Sequence, residues 1–182
     1  MRFVETPIAG AFVLELERFE DERGFFARSY CAEELEAHGL RPTVAQANIS
    51  FNHTKGTLRG MHYQADPPDE TKLVRCTRGA IWDVIIDMRP DSPTYLSHFG
   101  VELSSENHSA LFVPAVCAHG FQTLVDDTEV TYMVGDFYRP GRERGIAHDD
   151  PTFGIEWPLP VSVISEKDSA WSPVAAPAGA PR

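Results

Sequence analysis

With 182 residues, the chain is long enough for one domain with a sizeable core, and no apolar run reaches the roughly 20 residues that a membrane helix needs. A formal net charge of −11 argues against nucleic acid as a general partner, although a local cationic pocket can still hold a small phosphorylated molecule. Cys31, Cys76 and Cys117 are widely spaced and form no C-x-x-C pair, which argues against a disulfide framework or a zinc site and for a reducing cytoplasm.

Taken in chain order, strands are predicted at Phe12–Leu16, Phe25–Tyr30, Thr43–Phe51, Thr57–Gln64 and Lys72–Cys76. Further strands follow at Ala80–Met88, Tyr95–Leu103, Ala110–Val113, Phe121–Leu124 and Glu129–Val134. Turn residues separate them at Asp21-Glu22-Arg23-Gly24, Arg78-Gly79, Arg89 to Pro93 and Asp126-Asp127. One helix is expected, Ala32–His38, closed by Gly39. Many short strands with so little helix read as an all-β sandwich or barrel of jelly-roll type, a single domain over residues 1–171. Residues 172–182 are small and proline-rich and read as a mobile tail.

Charged side chains are out of place in such a core. Yet Arg59 and His62 fall inside the strand Thr57–Gln64, and Lys72 opens the next one. Burying such groups costs several kcal/mol unless something pairs with them, so together they suggest a lined cavity for an anionic or carbonyl-bearing ligand. A second histidine, His119, sits in a similar setting within Phe112 to Phe121.

Strand alternation says which residues can share that cavity. Ala45, Ala47, Ile49 and Phe51 lie on one face, and Gln46, Asn48, Ser50 and Asn52 on the other. The polar face is either solvated or lines a pocket, and for a lone strand the solvated reading is favoured. In the next strand Leu58, Gly60, His62 and Gln64 share a face, opposite Arg59, Met61 and Tyr63. Arg59 and His62 then point apart, unless a bulge at Gly60 brings them together.

Six motifs occur in order: Phe19-Glu20-Asp21-Glu22-Arg23-Gly24-Phe25-Phe26, Gln46-Ala47-Asn48, Leu58 to Gln64, Lys72-Leu73-Val74-Arg75, Ala118-His119-Gly120-Phe121 and Ser165-Glu166-Lys167-Asp168. Together they resemble the dTDP-4-dehydrorhamnose 3,5-epimerase family, nucleotide-sugar epimerases with a cupin-type jelly roll. The resemblance runs from about residue 3 to Trp171. It implies a homodimer that works without cofactor or metal on a dTDP-linked 4-keto-6-deoxy-hexose. By the same resemblance His62 is the catalytic base, Asp168 its carboxylate partner, Tyr132 the proton donor and Lys72 the lysine near the sugar carbonyl. Arg23, Gln46, Asn48, Arg59, His119, Glu143 and Lys167 match positions that contact the nucleotide sugar. Arg28 stands where the better-known members carry a glutamate, a charge reversal at a ligand-binding position. Tyr138 competes with Tyr132 for the donor role.

These residue types suit that chemistry. A proton next to a ketone is acidic because its loss leaves an enolate, and a histidine can take it near neutral pH. A carboxylate on the other ring nitrogen fixes the tautomer, a cation steadies the enolate, and inversion needs a donor on the opposite face. Each residue also has a plainer reading. Ser165-x-x-Asp168 has the spacing of a helix capping box, Lys72 and Arg59 suit strand edges, and tandem Phe25 and Phe26 suit core and dimer packing. Two other classes stay open: a metal-dependent cupin using His62, His119 and a glutamate or glutamine, since Gly56 to Gln64 with Glu70 and Gly79 resembles a first cupin motif, and a catalytically idle sugar-binding cupin.

Overall fold

The computed structural model describes residues 1–66 and 68–174, and short extended segments dominate it. In chain order they are β1 (Arg2–Glu5), β2 (Phe12–Glu15), β3 (Arg18–Asp21), β4 (Gly24–Ala27), helix α1 (Ala32–Ala37), β5 (Gln46–Asn52), β6 (Thr57–Gln64) and β7 (Lys72–Arg78). The second half holds β8 (Ala80–Asp87), β9 (His98–Ser104), β10 (Ala110–Val113), β11 (Cys117–Thr123), β12 (Thr128–Val134), β13 (Glu143–Gly145), β14 (Val163–Ile164) and helix α2 (Glu166–Ser169).

Two antiparallel layers form, one in the order β1-β2-β10-β7-β12-β5, the other in the order β13-β6-β11-β8-β9 with β14 parallel to β6. This is the all-β jelly-roll sandwich expected, and apart from the consecutive pairs β1-β2 and β8-β9 the neighbours in each sheet come from distant parts of the chain, as Greek-key connections require. The space between the sheets is filled from both sides by Val74, Cys76 and Val130 of one layer and Ile81, Ile85, Leu103 and Phe121 of the other. Outside the first sheet, Leu35 of α1 and Leu40 cover Leu14, Leu73 and Phe112. Outside the second, Ile146, Phe153 and Trp157 cover Met61, Val84 and Ile86. Helix α1 ends as expected: Gly39 takes φ +71, and the Gly39 and Leu40 N–H groups return to the Glu36 and Leu35 carbonyls.

Three local expectations change. First, of the two readings of β5, the less favoured one holds and its polar face lines a pocket. Its polar residues Gln46, Asn48 and Ser50 face inward, whereas Ile49 is 68% exposed on the outer face of the sheet's edge strand. Alternation defines two faces but not which one is covered; the inner face here meets a cavity rather than a dry core. Second, Phe25 and Phe26 do not belong to the core of this chain. They sit on a two-stranded hairpin, β3-β4, that pairs with neither sheet and leaves Phe19 and Phe26 largely exposed. Third, part of the C-terminal stretch read as mobile is tied down. The Val174 N–H reaches Asp150 Oδ2 at 2.6 Å, and Val174 packs on the outer cluster; residues 175–182 lie outside the described part. Among the described residues no helix is long and apolar enough to cross a membrane.

Candidate active site

At one end of the sandwich the sheets part around a cavity of about 360 Å³. The conflict between Arg59 and His62 is resolved on its wall. Phe121 pairs with Arg59 and His119 with His62, so Gly60 and Met61 on β6 stand opposite the single residue Gly120 on β11. That extra residue is a bulge, and it brings Arg59, His62 and Gln64 to the same side. Gly60 is required for it: a Cβ there would lie 2.5 Å from Gly120 Cα and 2.8 Å from the His119 carbonyl oxygen, at a φ of +119.

His62 Nε2 lies 2.7 Å from Asp168 Oδ1, a contact between residues 106 apart in sequence. The Asp168 backbone N–H is bonded to Ser165 Oγ at 3.0 Å, so the capping turn forms. The Asp168 carboxylate instead faces the cavity and also accepts from the Gly60 N–H at 3.3 Å. The cap and the catalytic reading of Asp168 are thus compatible: the cap uses its backbone, the dyad its side chain. Burial opposes ionisation of Asp168, but the hydrogen bond and charge of His62, with Gly60 and Ser165 behind them, hold its pKa below the ordinary value. With the Nε2 proton shared with Asp168, the ring's lone pair is on Nδ1. Glu143 Oε1 lies 3.5 Å from that atom. Lys167 Nζ pairs with the other oxygen of Glu143, from a position outside the cavity lining.

The opposite wall belongs to the other sheet. Tyr132 on β12 enters there, its hydroxyl pKa pushed up by burial while the charge of Arg59 pulls the other way. Lys72 sits beside it on β7, a central strand, with its side chain only 11% exposed and its Nζ 2.5 Å from Glu70 Oε1. That placement removes the strand-edge reading of Lys72. Gln46 and Asn48 complete this wall, and Gln46 Oε1 accepts from the Tyr138 N–H at 2.6 Å. Tyr138 lies at the rim and is 64% exposed.

His119 is held from behind. Its Nε2 lies 2.7 Å from Asp83 Oδ1, and Asp83 has no exposed side-chain surface. Burial pushes the Asp83 carboxyl up, while the neighbouring His119 opposes that shift. Arg59 Nε donates to Asn52 Oδ1 at 2.7 Å, which fixes the guanidinium plane at the mouth.

Of the thirteen residues expected in the site, the fold therefore places ten on one cavity: Gln46, Asn48, Arg59, His62, Lys72, His119, Tyr132, Tyr138, Glu143 and Asp168. Lys167 touches it through Glu143. Arg23 and Arg28 do not reach it within one chain; Arg23 pairs with Asp21 at the hairpin turn, and Arg28 with Glu34 of α1 at 3.1 Å. The lining also includes Ser50, Gln64 and Glu70, and Asp83 stands behind His119; none of these four was among the epimerase site residues expected. Strand parity pointed to Ser50 and Gln64, on the faces of Asn48 and His62. Glu70 lies in the β6–β7 connection, where no periodicity marks a residue.

Comparison with known proteins follows the same lines. The family model described as dTDP-4-dehydrorhamnose 3,5-epimerase matches residues 5–176. The chain belongs to this family. A relative of that name from Methanothermobacter thermautotrophicus is 42% identical over 176 residues, covering 95% of this chain and 94% of the relative. Among solved structures, the dTDP-4-dehydrorhamnose 3,5-epimerase of Bacillus anthracis with TDP and PPi bound is 40% identical, with a TM-score of 0.91 over 95% of this chain and 99% of its own. The dTDP-6-deoxy-D-glucose-3,5-epimerase of Legionella pneumophila in complex with dTDP-4-keto-L-rhamnose is 37% identical, with a TM-score of 0.87, covering 94% and 92%. Family membership makes the protein a carbohydrate epimerase, an isomerase.

Proposed function

We propose that the protein inverts a carbon next to the C4 ketone of a dTDP-linked 4-keto-6-deoxy-hexose, at C3, C5 or both. The observation that carries this reading is the division of acid–base groups between the two sheets. His62, backed by Asp168, stands on one wall of the cavity, and Tyr132 and Lys72 stand on the other. Inversion needs that separation, because the proton leaves one face of the sugar and another arrives from the opposite face.

In the first step His62 takes the α-proton. The C–H electron pair becomes the new C=C bond, and the carbonyl π pair moves onto oxygen, which Lys72 faces as an ammonium. General-base help of this kind contributes about 10²–10⁴-fold. Asp168 holds the ring in one tautomer and stabilises the imidazolium. In the second step the enolate collapses, and the carbon takes a proton from the Tyr132 hydroxyl. His62 then releases its proton to solvent and the Tyr132 phenolate regains one, so nothing is consumed. The diphosphate meets Arg59 and His119, and Gln46 and Asn48 provide hydrogen-bonding groups along the second wall.

Arg23 and Arg28 belong to this reading through a second copy of the chain. Arg23 sits at the turn, and Arg28 just beyond the end, of a hairpin that pairs with neither sheet of its own chain and exposes Phe19 and Phe26, and the outer face of β5 exposes Ile49. A homodimer covers these surfaces and carries the hairpin arginines toward the partner's cavity. A cytoplasmic setting agrees with free Cys31, Cys76 and Cys117. The test is His62→Ala: deuterium exchange into the sugar disappears while the thermal midpoint stays near wild type. Exchange at the wild-type rate removes His62 from the base role.

A further inference from the structure

Resting on the epimerase reading, one group in the cavity lacks a task. Glu70 is an acidic side chain, 12% exposed, inside a pocket assigned to an anionic ligand. Its charge works against binding, so its presence calls for a countervailing use. Its two carboxylate oxygens are held from different sides. Oε1 accepts from Lys72 Nζ at 2.5 Å, and Oε2 accepts from Gln64 Nε2. Gln64 is itself 95% buried, since only 5% of it is exposed, and it lies on the inward face of β6 two residues beyond His62. Its Oε1 is buried without a hydrogen-bond partner among the described residues.

We propose that Glu70 is a positioning residue for Lys72. The lysine stem is long and flexible, and its ammonium is a compact charge without directional preference. Left alone in a cavity with a diphosphate, it would turn toward the phosphates, the densest negative charge present. The Glu70 carboxylate, pinned by Gln64, occupies one of the three ammonium donors and leaves two for the ligand. The ammonium is thereby kept for the ketone oxygen, where charge develops, and pre-oriented before the substrate arrives. Ground-state affinity falls because a carboxylate remains near the diphosphate, while the transition state gains a fixed cation.

The arrangement predicts effects of opposite sign on turnover and binding. Glu70→Gln keeps the shape and removes the charge. The variant should lose about tenfold or more in kcat for deuterium exchange while binding thymidine diphosphate roughly three- to tenfold more tightly. In a Lys72→Met background the same substitution should change kcat by less than about threefold, because Glu70 acts through Lys72. Should Glu70→Gln fold poorly, Glu70→Asp keeps the charge and shortens the reach; kcat falls and thymidine diphosphate affinity stays at the wild-type level. Wild-type kcat in either variant, parallel loss of kcat and affinity, or full additivity with Lys72→Met overturns the role of Glu70. A wild-type protein that exchanges no deuterium overturns the epimerase reading instead, so the two failures are distinguishable.

Discussion

Substituting Gly60 by alanine tests how the site is assembled. At Gly60, φ is +119, a region that costs a residue with a side chain about 1–3 kcal/mol. The new Cβ also falls 2.5 Å from Gly120 Cα and 2.8 Å from the His119 carbonyl oxygen. Both are backbone atoms, so β6 and β11 must separate, adding about 1–3 kcal/mol of overpacking. The sum, about 2–6 kcal/mol, is a large share of the 5–15 kcal/mol that holds a typical domain together. Gly24 supplies the control. Its φ is +123, but a Cβ there meets nothing within 4 Å, so Gly24→Ala carries the backbone strain alone. Urea unfolding of both variants, with unchanged m-values, separates the two contributions. Because Gly60 lies between Arg59 and His62, deuterium exchange should fall further in Gly60→Ala than the loss of folded protein explains. Equal unfolding midpoints for the two variants refute the close approach, and with it the bulge that aligns Arg59 with His62.

Other consequences follow from single contacts. Asp168→Asn removes the charge behind His62 Nε2, and exchange should fall by about 10²–10⁴-fold with the thymidine diphosphate affinity little changed; a loss below tenfold contradicts the dyad. Asp87 accepts hydrogen bonds from Arg89, Ser92 and Thr94 and has its pKa lowered from 3.8 to about 2, with burial opposing and those partners prevailing. A depressed carboxylate pKa stabilises the fold above the unfolded value and loses that contribution as pH falls through the folded one. About 1–2 kcal/mol should therefore vanish between pH 4 and pH 2, discounted for screening, and Asp87→Asn should flatten that part of the stability profile. An unchanged profile contradicts the assignment. Light scattering should give twice the chain mass, and Ile49→Arg on the outer face of β5 should shift it toward the monomer; a wild-type monomer removes the proposed dimer.

What the sequence revealed depended on the range of each signal. Alternation and turn residues are local, so most strands followed from them. The short β13 and β14, of three and two residues, carry too few positions for a period to show. For β5 alternation separated the two faces but left open whether the polar one is solvated or lines a pocket, because that choice depends on a cavity built by other strands. Arg59 and His62 were separable only by parity, and a bulge of one residue reverses parity. Asp168 illustrates the opposite limit: its capping spacing is local and forms, whereas its bond to His62 spans 106 residues and no spacing encodes it. Resemblance supplied that pairing. Asp83 was missed because its partner His119 lies 36 residues away on the paired strand β11, and Glu70 because its connection carries no period although Lys72 and Gln64 are only two and six residues from it.

The most direct measurement is proton NMR of the wild-type protein with dTDP-4-keto-6-deoxy-glucose in D₂O. The proposed chemistry passes through an enolate, so deuterium must enter at the sugar carbon that is inverted. Wash-in at both positions 3 and 5 marks a double epimerase, and wash-in at one position marks a mono-epimerase; either agrees with a base on one sheet and a donor on the other. Binding of that nucleotide sugar with no deuterium at either carbon contradicts it.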